Sequence, residues 1–407
     1  MSGFAVAVTG LGLTTPAGIG VEENWNRVAE GSPMAATDPE LTGLQVDFSC
    51  RVPGFDPAAS LGEHNAWRLD RHQQFALVAA REAVRDAGLS EADWDGTRVG
   101  VVLGSGAGGT STMEAQQTKL LDSGAAKVSA LTLPMGLLNM AAGQLAIEFG
   151  ARGPNLTICT ACASGTSAIG VARDLIRSGA ADIVIAGATE AAVTPLFVAA
   201  FSRMRALSRK SSDPRAASRP FDAARDGFVI AEGAAVLILE SERHALARGA
   251  RVRGRVIGYG ASADGHHVTA PDPEGNGAEQ ALRGALTDAG LTAREVQHVN
   301  AHGTSTPLND VVESATIRRV LGEHVAVSST KGVTGHALGA GGAIEAAYGI
   351  LSLQHGCIPP TANLENPDPQ IELDLVSKTA RPCALEIVLS NSFGFGGQNA
   401  VLALAAS

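Results

Sequence analysis

No run of about 18 consecutive apolar residues occurs in the 407-residue chain, so no segment has the length of a membrane-spanning helix. The first ten residues, MSGFAVAVTG, lack a basic lead and a small-residue cleavage site, and no export signal is expected from them. Cysteine is scarce, and its odd count of five at irregular spacing does not build a disulfide framework; a reduced, cytoplasmic protein fits. Cys159 and Cys162 form a C-x-x-C, but no second such pair and no H-x-x-x-H completes a metal site, so no metal is expected. Positive charge is also in deficit. A net charge of −10 argues against nucleic acid and anionic membrane as partners, both of which select a basic surface. Low-complexity stretches and long linkers are absent. The glycines of GSGAGGTS (104–111) follow a strand, but no acidic residue about 20 positions on caps a second strand, so they read as a turn near a dimer interface and not as a dinucleotide site.

What is present is globular: 45% hydrophobic and 18% charged residues, over a length suited to two domains or two halves of one large body. Near-continuous Val/Ile/Leu runs predict strands at 5–10, 98–105, 155–161, 182–188 and 234–240, and again at 253–260, 296–303, 324–330, 386–392 and 399–405. Helical stretches alternate with them, notably 68–88 and 277–290, each closed by a glycine. The class is therefore α/β in layers. In the first set, strand 155–161 turns into a helix rich in small residues; in the second, strand 324–330 leads into a similar one. This predicts an internal duplication, with halves 1–250 and 251–407.

ICTACASGTSAIG (158–170) places Cys162 among small residues where a strand turns into a helix. Unpaired N–H groups and the helix dipole at such a junction favour a thiolate, and the turn offers an N–H to a developing oxyanion. Cys159, three residues back, reads as a packed structural cysteine. His302 in NAHGTSTPLND and His336 in STKGVTGHALGAGG also stand at strand ends, where open α/β sheets place their ligands. Lys331 is one of five lysines against 26 arginines; buried there it needs a partner, and Glu345 is the natural one. SNSFGFGGQNA (390–400) reads as a loop after a strand that can flip, with Phe393 and Phe395 as movable plugs.

The set TACASG, NAHGTSTPLND, STKGVTGHALGAGGAIEA and NSFGFGGQNA, together with VTGLGLTTPAG, RPFDAARDGFVIAEGAAVLILE and PPTANLENPD, resembles the β-ketoacyl synthases of the thiolase superfamily along essentially the whole chain, most closely the elongating type II fatty-acid and polyketide enzymes. The resemblance implies a thiolase-like five-layer αβαβα fold of two duplicated halves. It implies a decarboxylative Claisen condensation of an acyl thioester on Cys162 with malonyl-acyl carrier protein. His302 and His336 would assist decarboxylation and hold the enolate as neutral N–H donors. Lys331, paired with Glu345, would set the local electrostatics. The N–H groups of Cys162 and Phe393 would form the oxyanion hole, Phe393 would gate access, and Thr304 and Thr306 would bond the phosphopantetheine arm. No cofactor is implied beyond the phosphopantetheine of the acyl carrier protein that bears the substrates. The partners implied are that carrier and a second chain, either an identical copy or a homologous chain-length factor.

Two alternatives stand beside this reading. A degradative thiolase carries a second cysteine in its glycine-rich C-terminal loop, and FGFGGQN has none; a non-catalytic chain-length-factor subunit lacks the nucleophile, and Cys162 is present. The resemblance makes Phe395 a further substrate-binding candidate and aligns Met113 with the acyl-pocket gate. Thr110, Ser111 and Thr112 before it make the tunnel more polar than a pure alkyl chain requires, so a polar or unsaturated chain, and with it a polyketide pathway, stays open beside fatty-acid elongation. Arg68, Arg71 and the island Arg203, Arg205, Arg209 and Lys210 are the expected docking points for an acidic carrier.

Overall fold

The computed structural model describes residues 6–90 and 94–407. Ala5, at the start of the first expected strand, and the first five of the ten residues read for an export signal lie outside them. All ten expected strands form. In the first half they are β1 (Val6–Thr15), β2 (Val99–Gly104), β3 (Asn155–Ile158), β4 (Ile183–Glu190) and β5 (Gly233–Ser241). In the second they are β6 (Gly254–Ala263), β7 (His298–Asn300), β8 (Ala326–Ser328), β9 (Ile387–Gly394) and β10 (Gln398–Ala405). β1, β2 and β4 are buried along their whole length, as their unbroken apolar runs require.

The sheet order repeats. The first half runs β3-β2-β4-β5-β1 and the second β8-β7-β9-β10-β6, so both follow third-second-fourth-fifth-first. In both, the second, third and fourth strands are mutually parallel and the fifth is antiparallel to its neighbours. β1 and β6 join the two lobes through Val6↔Val256, Ala7↔Arg255 and Val8↔Gly254.

Helices α1 (Arg71–Asp86), α2 (Thr110–Ser123), α3 (Ser164–Arg177), α4 (Pro195–Arg203), α5 (Asn276–Ala289), α6 (Pro307–Leu321) and α7 (Gly341–His355) complete the layers. α1 starts three residues later than its apolar pattern, because the Asp70 side chain caps it in a capping box with Gln73. α1 packs outside the first lobe, α5 and α6 lie outside the second, and α3 and α7 sit between the lobes. Three buried clusters correspond to these interfaces, the largest around the central pair. The result is the expected thiolase-like αβαβα arrangement.

The small residues around Cys162 have a structural reason. The first turns of α3 and α7 cross so closely that a Cβ on Gly165 would lie 2.5 Å from the Ala343 nitrogen, and one on Gly342 would lie 2.1 Å from Thr166 Oγ1. The crossing brings the turn that precedes α3, with Cys162, next to the segment that precedes α7, with His336.

Candidate active site

Cys162 is half-buried in a tight turn between β3 and α3. Ala161 adopts a positive φ of 48°, rare for a residue with a Cβ, and the turn is held by Ser164 Oγ, which donates to Ala161 O at 2.6 Å and accepts from Thr160 N at 2.9 Å. The expectation of a resting thiolate is not met. Burial pushes the thiol up to about 11, and the charge of Lys331 and a hydrogen bond from the Phe395 N–H offset only part of it. Cys159 is not packed either: it is exposed on this chain, with its sulfur 3.9 Å from Gly106 O.

The two imidazoles meet the sulfur's cavity from the other lobe. His302 follows β7 and His336 follows β8; their rings stand edge to face with centroids 5.3 Å apart. Both are buried, and desolvation, with the positive charge of Lys331, holds them well below the ordinary histidine value, so both are neutral near pH 7. Lys331 Nζ donates to Glu345 Oε1 and lies 3.5 Å from His302 Nδ1. An ammonium only donates, so Nδ1 is an acceptor and the proton of His302 sits on Nε2. Burial raises Glu345 to about 7, against the pull of Lys331. His336 is fixed through its backbone, which donates to Val229 O at 2.8 Å and accepts from Ala231 N at 3.0 Å.

Sequence reasoning missed the group that holds His302. Glu313, on α6, is buried and accepts the backbone N–H groups of His302 and Gly303, both at 2.8 Å, and the side-chain amide of Asn391 at 3.1 Å. The available signal was an acid on the helix that follows NAHGTSTPLND, facing a strand-end turn whose N–H groups need acceptors.

The Phe-Gly segment is more ordered than a loose loop. Phe393 lies on β9, paired opposite Asn399, and only Phe395 to Gly397 turn the hairpin. The N–H that reaches the Cys162 sulfur belongs to Phe395, two residues beyond Phe393. Both rings still line the space: Phe393 is 5.9 Å from His302, and Phe395 is 6.2 Å from Phe201.

A cavity of about 460 Å³ unites these groups. Cys162, His302, His336, Thr304, Thr306, Phe393 and Phe395 line it, with Gly106, Ala107, Phe197 and Phe201. Thr304 and Thr306 share a 2.9 Å hydrogen bond between their hydroxyls. Met113 does not line it. α2 carries Met113 out to 45% exposure, against Gly136, and the wall position belongs to Ala107. Nor do the neighbouring hydroxyls colour a tunnel: Ser111 and Thr112 donate to Asp70 at 2.9 and 2.6 Å, and Thr110 points to Ala191 O at 3.4 Å. Ser111 and Thr112 border a separate hollow together with Asp70 and Met135.

Arg203, Arg205, Arg209 and Arg68 are exposed, and Arg205 stands on the cavity rim; Arg68 lies over the Trp67 indole at 4.9 Å. Lys210 is half-buried and donates to Ala224 O at 2.7 Å. Arg71 offers no free charge. Its guanidinium grips the buried Glu232 through two bonds of 2.8 and 2.6 Å, which makes it an internal strut.

A half-buried thiol, converging N–H donors and two neutral imidazoles are the equipment for acyl transfer onto sulfur and for holding an enolate oxygen. Comparisons with known proteins agree. Residues 4–245 match the model of the β-ketoacyl synthase N-terminal domain and residues 253–365 that of its C-terminal domain. The chain is 46% identical to 3-oxoacyl-(acyl-carrier-protein) synthase 2 of Synechocystis sp., over 98% of this chain and 97% of that one. It is 43% identical to the Staphylococcus aureus protein of the same name, over 98% and 97%. Among solved structures it superposes on the ishigamide ketosynthase/chain length factor with a TM-score of 0.93 at 35% identity, covering 100% of both chains. It superposes on a type II PKS ketosynthase, bound to the hexaketide and in complex with its acyl-carrier protein, with a TM-score of 0.92 at 33% identity, again over 100% of both.

Proposed function

Because the chain belongs to the β-ketoacyl synthase family, we propose that it elongates acyl chains on acyl carrier protein, with Cys162 as nucleophile and His302 and His336 as the decarboxylation pair. The observation that carries this reading is the shared cavity: a sulfur from one lobe and two neutral imidazoles from the other.

In the first stage the Cys162 thiol attacks the acyl-carrier thioester. The carbonyl oxygen takes hydrogen bonds from the N–H groups of Cys162 and Phe395, the thiol proton passes to a neutral imidazole, and that proton leaves on the released pantetheine thiol. In the second stage malonyl-carrier binds, with its arm against Thr304 and Thr306. The C–C bond to the carboxylate breaks, CO₂ departs, and the electron pair collects as an enolate. His302 Nε2–H and His336 hold its oxygen. The enolate carbon then attacks the acyl-Cys162 thioester, and the tetrahedral adduct expels the Cys162 sulfur as a thiolate, which takes up one proton from solvent to restore the thiol. Lys331 keeps His302 in the donor tautomer, and Glu345 compensates the buried ammonium.

The same cavity disfavours a non-catalytic subunit, which has no use for an accessible thiol beside two neutral imidazoles. The functional division into 1–250 and 251–407 gives the nucleophile to one half and both histidines to the other. Arg68, Arg203, Arg205, Arg209 and Lys210 are the proposed contacts for the acidic carrier, and a second chain completes the assembly. No helix among the described residues is long and apolar enough to cross a membrane. Cytoplasmic residence remains part of the proposal, as does the absence of any cofactor beyond the carrier's pantetheine.

The test separates the two stages. Cys162→Ala abolishes condensation and acyl loading. His302→Ala and His336→Ala lose malonyl decarboxylation by about 10²-fold or more while still accepting some acyl group on Cys162. Native-rate decarboxylation in either variant removes that histidine from the mechanism.

A further inference from the structure

Beyond the residues with assigned roles, one buried carboxylate lies on the cavity wall. Glu190 ends β4 and is fully buried. Its Oε2 accepts the N–H of Gly106 at 2.8 Å and of Gly339 at 3.1 Å; its Oε1 accepts the N–H of Ala107 at 3.1 Å and the Ser105 hydroxyl at 3.2 Å. Ser105 Oγ in turn accepts Gly108 N at 3.1 Å. Three of the four donors thus come from the segment that leads out of β2 and supplies Gly106 and Ala107 to the cavity. The fourth comes from Gly339, three residues beyond His336.

This carboxylate has no ion-pair partner among the described residues, and burial raises its pKa. A buried carboxylate compensated only by three N–H groups and one hydroxyl is costly for the fold, and a neutral amide is not an equivalent replacement: its NH₂ would face donors with nothing to accept. The packing is close around it. A Cβ on Gly339 would lie 2.5 Å from the Gly106 nitrogen and 2.6 Å from Glu190 Oε2. The strand end itself is anchored by Thr189, whose hydroxyl donates to His72 O at 2.6 Å. The far end of the same loop is held by a second buried acid, Asp70, through Ser111 and Thr112. The duplicated topology makes the placement meaningful. The end of the fourth strand in the second half carries the Phe393–Phe395 hairpin, so each fourth strand delivers one wall of the cavity.

We propose that Glu190 is a positioning residue that fixes the acyl-chain wall at Gly106 and Ala107 against the His336 segment, and thereby sets which acyl chains load onto Cys162. The inference rests on the ketosynthase reading. Gly106 and Ala107 line the same cavity as Cys162, so an acyl group on that sulfur would have this wall beside it.

The experiment measures kcat/KM for loading of Cys162 across saturated acyl carriers of increasing length, alongside malonyl decarboxylation and thermal melting. For Glu190→Gln the expected loss grows with acyl length, to about tenfold for long chains and under about threefold for short ones, and decarboxylation falls by less than long-chain loading. Ser105→Ala, which removes one donor and disturbs the fold less, shifts the profile in the same direction by a smaller factor. If Glu190→Gln does not fold, Ser105→Ala decides alone. A loss that is equal at every chain length, or no loss, overturns the proposal. A wild-type protein that neither loads acyl groups nor decarboxylates malonyl-carrier overturns the ketosynthase reading instead, and that is seen before any variant is made.

Discussion

Cys162 sits two residues before the first turn of α3, where a helix dipole favours an anion, yet burial outweighs that benefit and leaves a thiol. Its ionisation is therefore coupled to the charges facing it: Lys331 lowers the thiol pKa, and Glu190 and Glu345 raise it. Alkylation of Cys162 by iodoacetamide should keep climbing through about pH 9, with no plateau near neutrality. Lys331→Met should slow it at fixed pH, and Glu345→Gln should speed it, because each removes a charge of opposite sign from the sulfur's surroundings. A plateau below about pH 8, or both variants moving the rate the same way, contradicts the assignment. At this scale the sequence was readable where chemistry needs an unusual residue type. Cys162, His302, His336, Lys331 and Glu345 stand out, and the structure joins them. Glu313 and Glu190 did not stand out. Both act by accepting backbone N–H groups, and such a bond leaves no spacing or charge pattern in the sequence.

Elements were legible where burial is uniform. Every strand with a continuous apolar run forms, and α5 ends at Gly290 in the left-handed conformation, as a glycine stop predicts. Errors fell where a loop meets an element. Met113 was placed on the cavity by alignment with the family's pocket gate, and α2, which begins at Thr110, turns it away from the cavity lining. Phe393 was placed in a loop although β9 continues through it. The alternation of Phe and Gly there is a strand alternation running into a turn. The crossing of α3 and α7 is the element-scale feature most exposed to test. Gly342→Ala forces a methyl group into Thr166 and Ser392, whose hydroxyls are themselves hydrogen-bonded at 2.7 Å. It should lower stability by about 1–3 kcal/mol and reduce condensation, since the same crossing aligns Cys162 with His336. A variant with unchanged melting temperature would show that the helices can separate without cost.

At the scale of the molecule, the duplication exposes a difference that neither half shows alone. The third strand of each half is the edge of the repeated five-strand unit. In the second half that edge is closed: β8 pairs in parallel with a short strand, Asp374–Leu375. In the first half β3 is open on its outer side, and Asn155 and Leu156 are exposed. In the chain between β2 and β3, Leu121, Leu133, Leu137 and Ile147 are between 46% and 75% exposed. An unpaired edge strand bordered by exposed apolar side chains is a hazard unless another chain covers it. A second homologous chain, identical or a chain-length factor, would supply such a cover, since it would bring an edge of the same twist and a comparable apolar surround. Leu156→Lys combined with Ile147→Arg should therefore shift the species in sedimentation from about twice the 41.4 kDa chain mass to the single chain. Condensation should fall with dissociation, while the isolated chain keeps its secondary structure by circular dichroism. A variant that stays fully associated places the interface elsewhere on the molecule and leaves the open edge of β3 without a partner.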